Sequence, residues 1–70
     1  MQNFQISEST LIKRINRKLS RDGYRLLRTT DWRYAPFIII DGDRITYEWQ
    51  IDLEEKGREL DVLRDYEDLA

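Results

Sequence analysis

The absence of both cysteine and histidine from the 70 residues is the feature that most constrains the fold. Neither a disulfide nor a thiolate or imidazole metal site can hold this chain together. A chain of this length buries only about 60% of the surface that its unfolded form exposes. We therefore expect a single domain spanning residues 1–70, with a small apolar core and modest stability. The commonest general bases, nucleophiles and metal ligands are missing too, so we expect no enzymatic activity, no metal and no cofactor.

The sequence also predicts a cytoplasmic protein that does not enter a membrane. Its longest apolar run, Phe37–Ile40, has the length of a strand and is far too short to span a bilayer. The first nine residues, MQNFQISES, lack the basic and then apolar pattern of a signal peptide.

The net charge of −2 conceals two halves of opposite sign. Residues 1–33 contain eight Lys or Arg and three acids, whereas residues 34–70 contain four Lys or Arg and eleven acids. Such a division can steer an anionic partner to one end of the protein and a cationic partner to the other. The alternative is that the two halves neutralise each other within the fold.

An amphipathic helix is the clearest predicted element. Ser7, or alternatively Ser9, suits its N-cap, and Gly23 suits the left-handed position after its last turn. Its apolar positions recur at helical spacing and form one stripe: Leu11, Ile12, Ile15 and Leu19. The opposite side is cationic and consists of Lys13, Arg14, Arg17, Lys18 and Arg21.

Three strands follow in the predicted order. Tyr24–Arg28 and Phe37–Ile40 precede a turn at Asp41-Gly42-Asp43, and Asp-Gly is favoured in tight hairpins. The third strand, Arg44–Gln50, alternates between apolar and polar residues, which predicts one buried face. That face comprises Ile45, Tyr47 and Trp49.

A second helix begins after Asp52, which has Glu55 at the spacing of a capping box. Gly57 falls on its inner side, which indicates close approach to the sheet at Trp49 or Tyr47. Beyond Leu60 the chain either extends the helix or turns back.

The predicted fold is therefore α+β, in the order α-β-β-β-α, with a three-stranded antiparallel sheet packed by two helices on one face. The predicted core consists of Leu11, Ile12, Ile15, Leu19, Leu26, Phe37, Ile39, Ile45, Tyr47, Trp49, Leu53, Leu60 and Leu63.

This order is also that of the double-stranded-RNA-binding domain, which the sequence resembles in order and length alone. The basic patch that opens the second helix in that family is replaced here by Asp52-Leu53-Glu54-Glu55. Its Gly-Pro-x-His loop is replaced by Asp41-Gly42-Asp43. No RNA-contacting residue is therefore transferred from that family.

A second resemblance covers most of the chain. It is carried by two motifs, RINRKL at residues 14–19 and DLE..GREL.VL at residues 52–63. They resemble a family of small uncharacterised proteins of bacteria, plasmids and phage-like elements. The resemblance implies a bacterial or mobile-element origin and no known function. It also implies that the second helix ends near Leu60, because glycine usually replaces Asp61 in that family.

Two surfaces are candidates for binding. Phosphates are the expected ligands of a basic surface made of Lys13, Arg14, Arg17, Lys18, Arg21, Arg28 and Arg33. Trp32 or Tyr34, in the loop RTTDWRYAP, could stack on an unpaired base beside these cations. The interpretation that we favour for Trp32 is different: it folds inward over the small core, because a large aromatic side chain contributes much to core stability.

An acidic face is the second candidate, and it could imitate nucleic-acid phosphates toward a basic protein. It consists of Glu54, Glu55, Glu59, Asp61, Asp65, Glu67 and Asp68. We accordingly rank a non-catalytic protein-interaction module first and nucleic-acid binding second. A homodimer is the third hypothesis, formed either by basic-to-acidic docking or by pairing of the Arg44–Gln50 strand across a two-fold axis.

Overall fold

The computed structural model describes residues 4–70, which form five short strands and two helices. In chain order these are β1 (Phe4–Ile6), α1 (Glu8–Leu19), β2 (Arg25–Arg28), β3 (Phe37–Ile40), β4 (Thr46–Glu48), α2 (Leu53–Glu59) and β5 (Glu67–Leu69).

A three-stranded antiparallel sheet in the order β2-β3-β4 carries the two helices, which contact each other. This confirms the predicted α+β class and the predicted three-stranded antiparallel sheet. A second, parallel pair joins β1 to β5 and so brings the two ends of the described chain together. That pair was not predicted, because two three-residue strands leave no periodic pattern in the sequence.

The boundaries of α1 agree with the predicted caps. The Ser7 hydroxyl accepts a hydrogen bond from the Thr10 backbone N–H at 3.2 Å, which satisfies one of the free amides of the first turn. The last turn tightens into a 3₁₀ segment, Ser20–Asp22. Gly23 ends it with φ +80°, a conformation that glycine adopts without steric cost.

The core lies between the helices and the antiparallel sheet. Its buried apolar side chains are Leu11, Ile15, Leu19, Leu26, Phe37, Ile39, Ile51, Leu53 and Leu63. Eight of these nine belong to the predicted core, and Ile51 was not predicted. Ile12 and Leu60 are half-buried and pack against this cluster.

The predicted burial of Ile45, Tyr47 and Trp49 is wrong. These side chains are 62%, 62% and 53% exposed. The physical reason is backbone geometry: β4 is only three residues long, and its register against β3 shifts between Ile39 and Ile40. Residues in the left-handed conformation precede and follow β4, at Arg44 (φ 62°) and Gln50 (φ 54°). Side chains of residues 44–50 therefore do not alternate regularly between the two faces of the sheet.

The glycine of α2 has a different neighbour from the one predicted. A Cβ on Gly57 would lie 2.9 Å from Leu11 Cδ1 and 3.1 Å from Leu63 Cβ, and its three nearest atoms all belong to these two residues and not to Trp49 or Tyr47. Gly57 therefore permits close approach of α1 and of the segment after α2, and the predicted approach to the sheet is wrong.

Of the two alternatives beyond Leu60, the chain turns back. Asp52 Oδ1 caps α2 by accepting from the Glu55 backbone N–H at 3.0 Å, and the helix ends at Glu59. Asp61 then adopts a left-handed conformation with φ 60°. This reversal directs residues 62–66 along α1 and leads into β5. Within residues 4–70, neither helix has the length and apolar character needed to cross a bilayer.

Candidate nucleic-acid interface

An open groove of about 430 Å³ lies between α1 with its 3₁₀ extension and the segment that follows α2. We call it the cationic groove. It is lined by Arg14, Arg17, Lys18, Arg21, Asp61, Val62, Arg64, Tyr66 and Glu67.

The helical repeat explains one wall of this groove. Residues at spacings of three and four lie on one side of a helix, so Arg14, Arg17, Lys18 and Arg21 follow one row. The adjacent side of α1 carries Leu11, Ile15 and Leu19, whose burial fixes the orientation of the helix. Burial of the apolar stripe therefore presents the cations to the groove, as the sequence predicts.

Arg14 joins the two walls of the cationic groove. Its Nη1 donates to Glu67 Oε1 at 2.9 Å and to the Val62 carbonyl at 3.1 Å. Glu67 is buried and also accepts from the Arg64 backbone N–H at 3.0 Å. These hydrogen bonds, from the Arg14 side chain first and from the Arg64 amide second, hold the pKa of Glu67 below its usual value. Arg14 therefore has a structural role, and Glu67 offsets its charge.

The remaining groove cations are Arg17, Lys18, Arg21 and Arg64, and all four are exposed. None of them forms an ion pair with a carboxylate within residues 4–70. Five cations and two acids line the groove, so its local charge is positive in a chain whose net charge is negative.

Arg64 and Tyr66 belong to the groove but were not predicted. They lie in the acidic stretch DVLRDYEDLA, which gives no indication of a cationic site. The parallel pairing of β5 with β1 brings them there, and a 6.2 Å edge-to-face contact with Phe4 supports the Tyr66 ring. No local sequence signal could have revealed this long-range arrangement.

Three other predicted cations do not line the groove. Lys13 is exposed on α1 and has no ion pair among the described carboxylates. Arg28 pairs with Glu8, and its guanidinium lies 5.0 Å from the centre of the Phe37 ring. Both contacts hold Arg28 at the sheet, apart from the cations of the groove wall.

The loop before β3 is built around Asp31. Its carbonyl accepts from the amides of Tyr34 and Ala35, and its carboxylate binds the Arg33 guanidinium at 3.0 Å. The side-chain hydrogen bond from Arg33 is the main cause of the lowered pKa of Asp31. Arg33 is thus the third cation outside the groove, and its charge is offset locally.

Trp32 is 84% exposed, so the favoured interpretation that it covers the core is wrong. The turn at Asp31 directs it outward. Tyr34 packs edge-to-face against Trp49, with 6.4 Å between ring centres. The Gln50 backbone N–H donates to the Tyr34 carbonyl at 2.9 Å and connects this loop to the chain after β4. Tyr34 therefore packs against the chain after β4, and neither Trp32 nor Tyr34 lines the cationic groove.

The predicted acidic face is only partly available to a partner. Glu54 lies 3.6 Å from Arg58, and Glu59 lies 3.0 Å from Lys56. Asp61 lines the cationic groove, whereas Glu55 and Asp65 are exposed without an ion pair in the described part of the chain. These acids do not form one continuous free surface. No group of three or more carboxylates within residues 4–70 is placed to hold a metal ion.

Lys56 is the buried cation of α2. Burial disfavours its charged form, but hydrogen bonds to Glu48 and Glu59 outweigh that effect and raise the pKa of Lys56 above its usual value. Its Nζ lies 2.9 Å from both carboxylate oxygens of Glu48. Lys56 therefore links α2 to β4 and is unavailable to a ligand.

The resemblance carried by RINRKL and DLE..GREL.VL stays a prediction. Comparison of the chain with models of known protein families, with curated proteins and with solved structures finds no match.

Proposed function

We propose that this protein is a non-catalytic binding module that holds the phosphate backbone of a nucleic acid in the cationic groove. One observation carries the proposal: Arg17, Lys18, Arg21 and Arg64 line one open groove, and none of them forms a direct ion pair with a carboxylate among the described residues. The proposal places the protein in the cytoplasm and assigns it no cofactor.

The chemistry of these side chains suits a row of phosphates. Arginine presents a planar fork of donors that matches phosphate oxygens, and lysine adds a compact charge. Neutralised phosphates release condensed counterions, which supplies affinity without sequence recognition. The exposed ring of Tyr66 in the same wall offers a stacking surface for a base.

A protein partner at the acids of α2, the class ranked first from the sequence, has less support. Glu54 and Glu59 are paired with cations of the same helix, and Asp61 faces the cationic groove. A basic partner would have to displace these internal contacts. The groove cations require no such displacement.

The test is fluorescence anisotropy with labelled 20-nucleotide single strands and duplexes at several salt concentrations. We expect binding at low salt, with log K falling linearly with log salt by about 0.7 per neutralised phosphate for single strands and about 0.9 for duplexes. Arg17→Gln/Arg21→Gln should weaken binding and flatten this slope.

A matched control is Arg25→Gln/Arg44→Gln, which removes two exposed cations outside the groove and makes the same change in net charge. This control variant should bind the labelled nucleic acids with nearly the affinity of the unmodified protein. Equal losses in the two double variants would mean that net charge, and not the groove, determines binding. No binding of either probe at low salt would eliminate the proposed function.

A further inference from the structure

An apolar surface of exposed side chains, from the segment around β4 and from the loop before β3, is separate from the cationic groove. It consists of Trp32, Tyr34, Ile45, Tyr47 and Trp49, and we call it the aromatic surface. Tyr34 contacts Trp49, and the Tyr47 ring lies 4.7 Å from that of Tyr24. These contacts hold the rings in place while leaving large areas exposed to water.

The exposed area is substantial for a chain of this size. Aromatic residues each contribute about 150–250 Å² when fully buried. At the exposures given by the structure, from 37% for Tyr34 to 84% for Trp32, the aromatic surface presents about 600 Å². A stable interface of standard size buries about 800 Å² on each partner. The aromatic surface therefore supplies most of one side of such an interface.

The backbone at this surface is also unpaired on one side. β4 has β3 on one edge, and no other strand within residues 4–70 lies along its second edge. A free edge is a template for pairing with another chain. With only three residues, β4 offers few hydrogen bonds, so burial of the flanking side chains must provide most of the free energy.

We propose that the aromatic surface is the interface of a symmetric dimer formed with a second copy of this chain, through antiparallel pairing of the two β4 edges. A two-fold axis at Tyr47 places Tyr47 beside its equivalent. The same axis places Ile45 of one copy beside Trp49 of the second copy, so the apolar row is self-complementary.

Local charge also favours a second copy as the occupant. A symmetric contact brings identical groups together, so like charges oppose it unless they are neutralised. Asp31 neutralises Arg33, the neighbour of Trp32 in the sequence, and Lys56 neutralises Glu48, which lies between Tyr47 and Trp49 in the sequence. Antiparallel pairing places the two copies of Arg44 at opposite ends of the interface. The dimer would carry two cationic grooves and so bind a polyanion with greater avidity.

Sedimentation equilibrium of the full chain from 1 µM to 500 µM, without nucleic acid, tests the dimer. We expect a monomer–dimer equilibrium that changes little between low and high salt, because the interface is apolar. Both tryptophans of the chain lie on the aromatic surface, so dilution should also shift their emission to longer wavelength.

Tyr47→Lys should weaken the dimer by at least about 30-fold, the effect of losing a buried aromatic anchor. Tyr66→Lys is the matched control, since Tyr66 is 56% exposed and lies outside the aromatic surface. Trp32→Lys provides a second disruptive variant in case Tyr47→Lys, which loses the Tyr24 contact, does not fold. The proposal is wrong if the protein stays monomeric at 500 µM, whether or not the aromatic surface binds a different partner. It is also wrong if the dimer dissociates with salt or withstands both disruptive variants.

Discussion

Arg14 and Glu67 are 53 positions apart in the sequence, and their side chains meet at 2.9 Å. Arg14 lies within α1, and Glu67 is the first residue of β5. Their contact therefore connects the first helix to the last strand of the described chain. Glu67 is 6% exposed, and an unpaired buried carboxylate would be costly. The pair therefore fixes the position of the second wall of the cationic groove.

The first prediction concerns acid stability. The folded-state pKa of Glu67 is lowered, so folded Glu67 retains its charge at a pH where the unfolded chain already binds a proton. Ionised Glu67 therefore makes its full contribution to the free energy of unfolding above the usual glutamate pKa of about 4.3. That contribution is lost as the pH falls through the lowered pKa of the folded state. The stability advantage of the unmodified protein over Glu67→Gln should be largest near pH 7 and should narrow below pH 5.

Urea unfolding at a series of pH values from 3 to 7 measures this difference. Glu55→Gln is the control, because Glu55 is exposed and has no ion pair in the described part of the chain. Glu55→Gln should change the free energy of unfolding by less than about 0.5 kcal/mol, as surface substitutions usually do. A constant difference for Glu67→Gln across the whole range would contradict the proposed role of the Arg14 contact.

The second prediction concerns the close approach at Gly57. Alanine there would gain about 1 kcal/mol of helix propensity. Its Cβ would, however, lie 2.9 Å from Leu11 Cδ1 and 3.1 Å from Leu63 Cβ. Leu11 is fully buried, and Leu63 Cβ is attached directly to the backbone, so neither can move away freely. Because overpacking costs about 1–3 kcal/mol, we expect a net loss of about 1 kcal/mol for Gly57→Ala.

Thermal and urea unfolding measure that loss. Gly42→Ala is the control, because nothing lies within 4 Å of the Cβ that it would add. It should change the free energy of unfolding by less than about 0.5 kcal/mol, as surface substitutions usually do. If Gly57→Ala is as stable as Gly42→Ala, the two helices have room to separate and the packing argument is wrong.

The elements that the sequence predicted well are those specified locally. Ser7 and Asp52 cap the helices as expected, and the spacing of Leu11, Ile15 and Leu19 orients α1 correctly. Each depends on residues within about four positions of one another, where helix geometry fixes the outcome. The row of cations on α1 followed from the same geometry.

The features that were missed depend on backbone conformation or distant pairing. The left-handed residues Arg44 and Gln50 change the direction of the chain on both sides of β4, although neither is a glycine. The expected burial of Tyr47 therefore failed. Arg64 and Tyr66 join the groove through the β1–β5 pair, and single-sequence periodicity carries no signal for parallel contacts between the two ends of the chain.

The third prediction concerns Asp61, which has both a conformational and an electrostatic role. Its φ of 60° is left-handed, which costs about 1–2 kcal/mol for a residue with an ordinary side chain and nothing sterically for glycine. Asp61→Val should therefore lose about 1–2 kcal/mol of stability, because a β-branched residue is especially unfavourable there. Asp61→Gly should fold at least as stably as the unmodified protein.

Asp61 also places a negative charge among the groove cations. If phosphates bind there, Asp61→Gly should raise the affinity for nucleic acid at low salt, as measured by anisotropy with the same labelled strands. Asp65→Gly removes an identical charge from an exposed position that does not line the groove. It should raise the affinity less than Asp61→Gly does, because the Asp65 carboxylate does not line the groove and lies outside the proposed phosphate site. Equal gains from the two variants would indicate a diffuse effect of net charge and would count against a phosphate site in the groove.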